Sequence, residues 1–146
     1  MKKSTSIIFG FCLIIILGYG CKNSTRKDSK EANSATSKIT TYCFRNEFPF
    51  KEEPLKKDIQ ELVLTVEGDT VKGDYNWLPA EKDQRRGTLT GNIVNDIIEA
   101  EYIFMQEGMK DTVEIKIFIT DESAEISGGS PELGLTASLR KVDCNE

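Results

Sequence analysis

Histidine is absent from the 146 residues of this chain. That removes the commonest general base, a common neutral metal ligand and the side chain whose ordinary pKa lies nearest neutrality. Cysteine is scarce, at four. Cys12 and Cys21 belong to the N-terminal region, which leaves Cys43 and Cys144, too few for the usual zinc ligand set without a histidine. No Gly-x-Ser-x-Gly element, phosphate-binding glycine loop or metal-ligand cluster occurs. Two carboxylate pairs, Asp69 with Asp74 and Glu99 with Glu101, have the residue types a glycosidase needs across a cleft. They fall on positions expected to face outward from strands, so solvated surface is the expected state. The chain reads as a non-enzyme with no catalytic residue, no metal and no cofactor.

Basic residues are also in deficit beyond the N-terminal region. Residues 39–146 carry 12 Lys or Arg against 22 Asp or Glu, a net of −10. No basic patch is left to neutralise phosphates, which argues against nucleic acid as a partner. A long apolar run is missing as well. Ile7 to Leu17 is apolar and uncharged, but a membrane-spanning helix needs about 20 such residues.

The short run instead follows Lys2 and Lys3, in the order of a basic n-region and an apolar h-region. It ends at Gly18-Tyr19-Gly20, directly before Cys21. This junction resembles the lipobox of bacterial lipoproteins, in which the signal is removed before a cysteine that carries a diacylglycerol. It departs from the usual pattern in having Gly18 three residues before the cysteine, with Leu17 one step further back, and in the bulk of Tyr19. The resemblance implies residues 1–20 as a lipoprotein signal peptide and Cys21 as the lipidation site, with palmitate among its acyl chains. Ordinary secretion and an uncleaved signal anchor are the alternatives. Acyl chains contribute about 0.8 kcal/mol per buried CH₂, and stable anchoring takes two membrane signals, which a diacylated, N-acylated cysteine satisfies.

Residues 21–38 are rich in Ser, Thr, Lys, Asn and Ala and lack an apolar cluster. They cannot bury enough surface to offset the entropy of ordering, so the segment reads as a flexible tether. Its basic character, against the acidic residues 39–146, places the tether rather than the domain next to an anionic surface. Lys22 after the lipid site is not the Asp associated with inner-membrane retention, which points to the outer membrane, on its periplasmic or surface side.

In an exported protein two remaining cysteines usually pair. Cys43 and Cys144 bracket almost the whole folded part, so their bridge would close a loop of about 100 residues and stabilise by roughly 4–5 kcal/mol on the chain-entropy model.

From Ile59 onward the apolar residues alternate with polar ones, the period of a half-buried strand. With Gly68-Asp69 as a two-residue turn, Val66 faces Val71, Leu64 faces Gly73 and Leu62 faces Tyr75. With Asn95-Asp96 as the next turn, Ile93 faces Ile98, Gly91 faces Ala100, Leu89 faces Tyr102 and Gly87 faces Phe104. A slip of one residue would mix the faces, so the agreement supports both registers. A third hairpin joins Val113, Ile115, Ile117 and Ile119 through Asp121-Glu122-Ser123 to Ala124 and Ile126, with Phe118 on the outer face. Thr40–Phe44 and Thr136–Val142 read as outer strands. The expectation for residues 39–146 is an all-β domain: a small antiparallel up-and-down barrel of about eight strands that removes its edges by closing. A two-sheet sandwich is the alternative.

Cys21 and the repeated strand, Gly-Asp or Asn-Asp turn, strand units resemble small lipid-anchored β-barrel proteins of Gram-negative envelopes, a group broadly like the calycins. The runs Glu67-Gly68-Asp69-Thr70-Val71-Lys72-Gly73-Asp74-Tyr75-Asn76-Trp77-Leu78-Pro79 and Tyr102-Ile103-Phe104-Met105-Gln106-Glu107-Gly108 carry the likeness, which implies topology over residues 40–144 but no activity.

Tyr75, Trp77, Tyr102 and Phe104 share the expected inner face. They either fill a narrow interior or line a pocket for a small hydrophobe. Arg85 and Arg86, in the polar stretch Leu78–Arg86, are candidate ligands for a carboxylate or phosphate, and Met105–Lys110 forms a second rim. The reading that follows is a lipid-anchored, non-catalytic binding module for a small hydrophobic or anionic ligand. Its alternative is a protein-interaction lipoprotein, such as an envelope hydrolase inhibitor or assembly accessory.

Overall fold

The computed structural model describes residues 38–145. The expected signal peptide, Cys21 and the expected tether before Lys38 lie outside the described residues. Eight strands follow one another in chain order: β1 (Ile39–Pro49), β2 (Lys57–Glu67), β3 (Thr70–Leu78), β4 (Arg85–Val94), β5 (Ile97–Gln106), β6 (Met109–Ile119), β7 (Ser123–Gly128) and β8 (Ala137–Val142). Each pairs antiparallel with the next, and β8 returns to β1 to close an up-and-down barrel. The sandwich alternative is thereby excluded.

Turn chemistry and side-chain alternation set the registers. Val66 pairs with Val71, Leu64 with Gly73 and Leu62 with Tyr75, and Ile93 pairs with Ile98, Leu89 with Tyr102 and Gly87 with Phe104, as the sequence pattern predicts. At the β4–β5 turn Asn95 and Asp96 adopt φ of 51° and 65°, the double left-handed conformation that matches the twist of a two-residue hairpin. Asn and Asp tolerate it better than other side-chain-bearing residues.

Alternation then sends one face of every strand inward. Phe44, Leu62, Leu64, Val71, Tyr75, Leu89, Tyr102, Phe104, Ile115, Ile117 and Leu139 meet in one continuous core. Tyr102 lies 5.4 Å from the Tyr75 ring and stacks on Phe104 at 5.0 Å, centroid to centroid. Room for these rings comes from Gly87. A Cβ there would stand 2.5 Å from Cε2 of Tyr102 and 2.5 Å from the backbone oxygen of Ile103, so any side chain would have to push apart two strands. Phe118 remains outside, half exposed.

Closure is the thinnest part of the wall. Only Cys43 with Val142 and Phe44 with Lys141 form ladder pairs between β1 and β8. Two further devices hold the seam. The Asn46 side chain imitates a strand backbone: its Nδ2 donates to Ser138 O at 2.7 Å and its Oδ1 accepts from Arg140 N at 3.2 Å. A disulfide joins Cys43 to Cys144. Asn46→Ala removes both amide bonds, each of which contributes about 0.5–1.5 kcal/mol net. The expected outcome is a loss of about 1–3 kcal/mol with faster hydrogen exchange at the Arg140 amide; unchanged exchange there would show that the amide bridge holds nothing.

The topology gives the barrel two unlike ends. Residues 68–69, 95–96 and 120–122 turn at one end, which also receives Ile39 and releases Val142. Residues 50–56, 79–84, 107–108 and 129–136 connect strands at the other, called the loop end below.

Candidate functional site

The segment between β7 and β8 forms the floor of the loop end. Gly128 and Gly129, at φ of 132° and 66°, turn the chain off the β7 ladder, and a single 3₁₀ turn, Pro131–Leu133, follows. Gly134, in the left-handed region at φ 57°, caps that turn by donating to Pro131 O at 3.1 Å. Leu135 then enters the core, 1% exposed.

A segment placed there buries backbone oxygens that no ladder can satisfy, and side chains from the wall take up that role. The Tyr75 hydroxyl donates to Leu135 O at 3.0 Å and accepts from Gln60 Nε2 at 2.8 Å. Nη1 of Arg85 donates to Leu133 O at 2.6 Å. Below them the Tyr102 hydroxyl donates to Tyr75 O at 2.6 Å. Tyr75, Tyr102 and most of Phe104 therefore act as barrel filling, and no cavity opens among them.

Arg85 stands out electrostatically. It is the buried charged residue of the core, 4% exposed. None of the ion pairs among the described residues includes it. Its Nε is shut from solvent without an acceptor. The rings of Phe104 and Tyr75, 5.7 Å and 6.0 Å from the guanidinium carbon, give it a π-face on each, a partial compensation worth about 2 kcal/mol when desolvated. The tyrosines supply no anion: burial pushes the phenols of Tyr75 and Tyr102 above the ordinary tyrosine value, and the nearby Arg85 charge only partly offsets it. Burying a cation without a counter-charge is costly, and unsatisfied buried donors of this kind are rare in folded proteins.

Arg85 also lines a cleft of about 360 Å³ together with Phe48, Gln60, Trp77, Gln106, Leu133 and Gly134. Trp77 meets Phe48 edge to face at 6.2 Å. Across Leu133 and Gln106 a second recess of about 290 Å³ continues past Phe104, Met109 and Lys110. Phe48, Met105 and Met109 are exposed at this end of the barrel. A larger groove of about 590 Å³ lies on the seam beside Asn46, the 120–123 turn and Arg140, but its lining is exposed or half-buried and it contains no buried unpaired group.

The two arginines do not converge. Adjacent strand residues face opposite sides, so Arg85 points in while Arg86 points out and holds Gln84 Oε1 through Nε and Nη2, at 3.1 and 2.9 Å. Asp69, Asp74, Glu99 and Glu101 are exposed on the outside, with Glu99 paired to Lys116 at 2.8 Å. Among the described residues no three Cys, Asp or Glu side chains gather as a metal site.

No family model matches the chain. No curated protein and no solved structure matches it either. The likeness to envelope barrels thus stands at the level of architecture, a small closed eight-strand all-β barrel, and function has to be read from the loop end itself.

Proposed function

We propose that this chain is an exported lipoprotein, held at the outer membrane through Cys21, whose barrel is a non-catalytic binding module working through its loop end. The observation that carries the reading is Arg85, a buried guanidinium without a counter-ion at the wall of a cleft flanked by Phe48 and Trp77. A cleft with apolar walls and a few convergent polar groups is the ordinary form of a small-ligand site. The packed interior moves the expected ligand from the lumen to the mouth.

A protein partner, as for an envelope hydrolase inhibitor or assembly accessory, is the second reading. The exposed Met105 and Met109 favour it, at 46% and 69% exposure, since methionine side chains adapt to varied partner surfaces.

The test is native mass spectrometry of the full chain extracted gently from its own envelope, compared with the denatured sample. The expected result is a discrete added mass that is lost on denaturation. A bare mass accompanied by a stoichiometric protein would replace the first reading with the second. Anchoring is tested separately: Cys21→Ala should abolish lipid labelling and cleavage before residue 21, and equal processing and labelling would remove the lipoprotein reading.

A further inference from the structure

The loop-end cleft offers one positive charge and otherwise neutral walls. Gln60 and Gln106 contribute amides, Phe48, Trp77 and Leu133 apolar surface, and Gly134 backbone. We propose that this cleft binds a monocarboxylate carried on a short apolar or aromatic body, with the carboxylate on Arg85 and the body against the Phe48–Trp77 pair. The proposal rests on the reading of the loop end as a binding site and specifies its ligand.

Charge matching selects the headgroup. A single guanidinium neutralises a single carboxylate, and its planar fork matches the two carboxylate oxygens. A phosphate monoester near neutrality carries about 1.5–2 negative charges, and the excess would have no partner on these walls. The surroundings oppose it further, since residues 39–146 carry a net of −10. The buried Nε without an acceptor leaves the Arg85 cation incompletely compensated, which favours an anion on the part of the guanidinium that lines the cleft. Size limits the body, because about 360 Å³ is near the lower bound, roughly 300 Å³, of small-ligand pockets. Such a group can come from a free small acid or from the C-terminus of a peptide ending in an apolar residue.

Trp77 is the single tryptophan of the chain, so its emission reports on this cleft alone. The experiment titrates the full chain, in a mild detergent, with 3-phenylpropionate, 3-phenylpropanamide, phenyl phosphate and the tripeptide Ala-Ala-Phe. The expected result is a saturable shift of Trp77 emission with 3-phenylpropionate and none with the uncharged amide at tenfold higher concentration. Arg85→Gln should weaken the acid by about 10–100-fold, the range for losing a hydrogen bond to a charged group. Because Arg85 also braces Leu133, Gln106→Glu provides a second variant on the cleft wall, expected to weaken the acid at least tenfold with an unchanged melting temperature. A tripeptide that binds more tightly than the free acid assigns the source to peptide C-termini, and the reverse order to small metabolite-like acids. Equal binding of acid and amide overturns the carboxylate assignment while leaving the cleft a binding site. Tighter binding of phenyl phosphate overturns it also. No response to any probe, from a chain that showed an added mass in native spectra and was freed of it by dialysis before the titration, overturns the assignment without touching the binding-module reading.

Discussion

Cys43→Ser together with Cys144→Ser is expected to lower the stability of the barrel by about 4–5 kcal/mol. The bond spans a sequence separation of 101 residues, and release of a loop that long restores a large conformational entropy to the unfolded chain. The folded state loses as well. Two ladder pairs and the Asn46 amide are then the hydrogen bonding between β1 and β8, and an opened seam presents two strand edges to water and to neighbouring chains. Small domains hold about 5–15 kcal/mol in total, so the oxidised and reduced proteins should differ by roughly 20 °C or more in Tm, given about 4–8 °C per kcal/mol at this size. Thermal unfolding with and without reductant measures the difference. A shift of only a few degrees would mean that the unfolded chain is already compact across the seam.

Tyr102→Ala carries the second large effect, about 3–5 kcal/mol, the range for removing a buried aromatic ring. The ring is 0% exposed and touches Tyr75 on one side and Phe104 on the other. Above it lies Gly87, which has no side chain to relax into the space. Tyr75 and Phe104, the two rings that hold the Arg85 guanidinium, lose the ring packed against both of them. Tyr102→Phe separates the contributions, because it keeps the ring and removes only the bond to Tyr75 O. Its expected cost is about 0.5–1.5 kcal/mol. Denaturant midpoints of the two variants provide the measurement, and an alanine variant no weaker than the phenylalanine one would show that the ring contributes little. Since Tyr102 reaches no cavity, the phenylalanine variant should bind ligand at the loop end as the unchanged chain does.

Much of the fold was legible because strands and hairpins leave short-range traces. A period of two in Leu62, Leu64 and Val66, a turn pair such as Asn95-Asp96, and glycines at inner positions together admit one register, and closure follows from eight short strands that need their edges covered. The Cys43–Cys144 bond was legible from the count of cysteines and the expectation of export. Less could be read where alternation fails. β1 runs to Pro49, five residues beyond the strand expected at Thr40–Phe44, because Arg45–Phe48 shows no simple inward and outward pattern. The 129–136 floor was missed for a different reason: Gly128-Gly129 signals a turn, but only tertiary packing decides that the turn enters the barrel.

The site was legible in part. Trp77 and Arg85 lie together near one end of the barrel, while Arg86, treated as the companion of Arg85, points away. A signal for the difference was present. Gly91, Leu89 and Gly87 all face inward, and two more residues along the same period is Arg85. Reading that arginine as part of the polar stretch Leu78–Arg86 hid its place at the start of β4 and its burial. Tyr75, Tyr102 and Phe104 were legible as inward-facing, but whether they fill or line an interior depends on barrel radius, which no local pattern encodes.

The seam has a mechanical consequence. When the described chain is pulled from its two ends, tension enters at Ile39, runs four residues to Cys43, crosses the covalent bond to Cys144 and leaves. The remaining strands lie off that path. At roughly 3.3–3.6 Å per extended residue, the bypassed loop stores about 350 Å of length. Oxidised, the domain behaves under load as a short stiff link; reduced, it becomes an extensible spring.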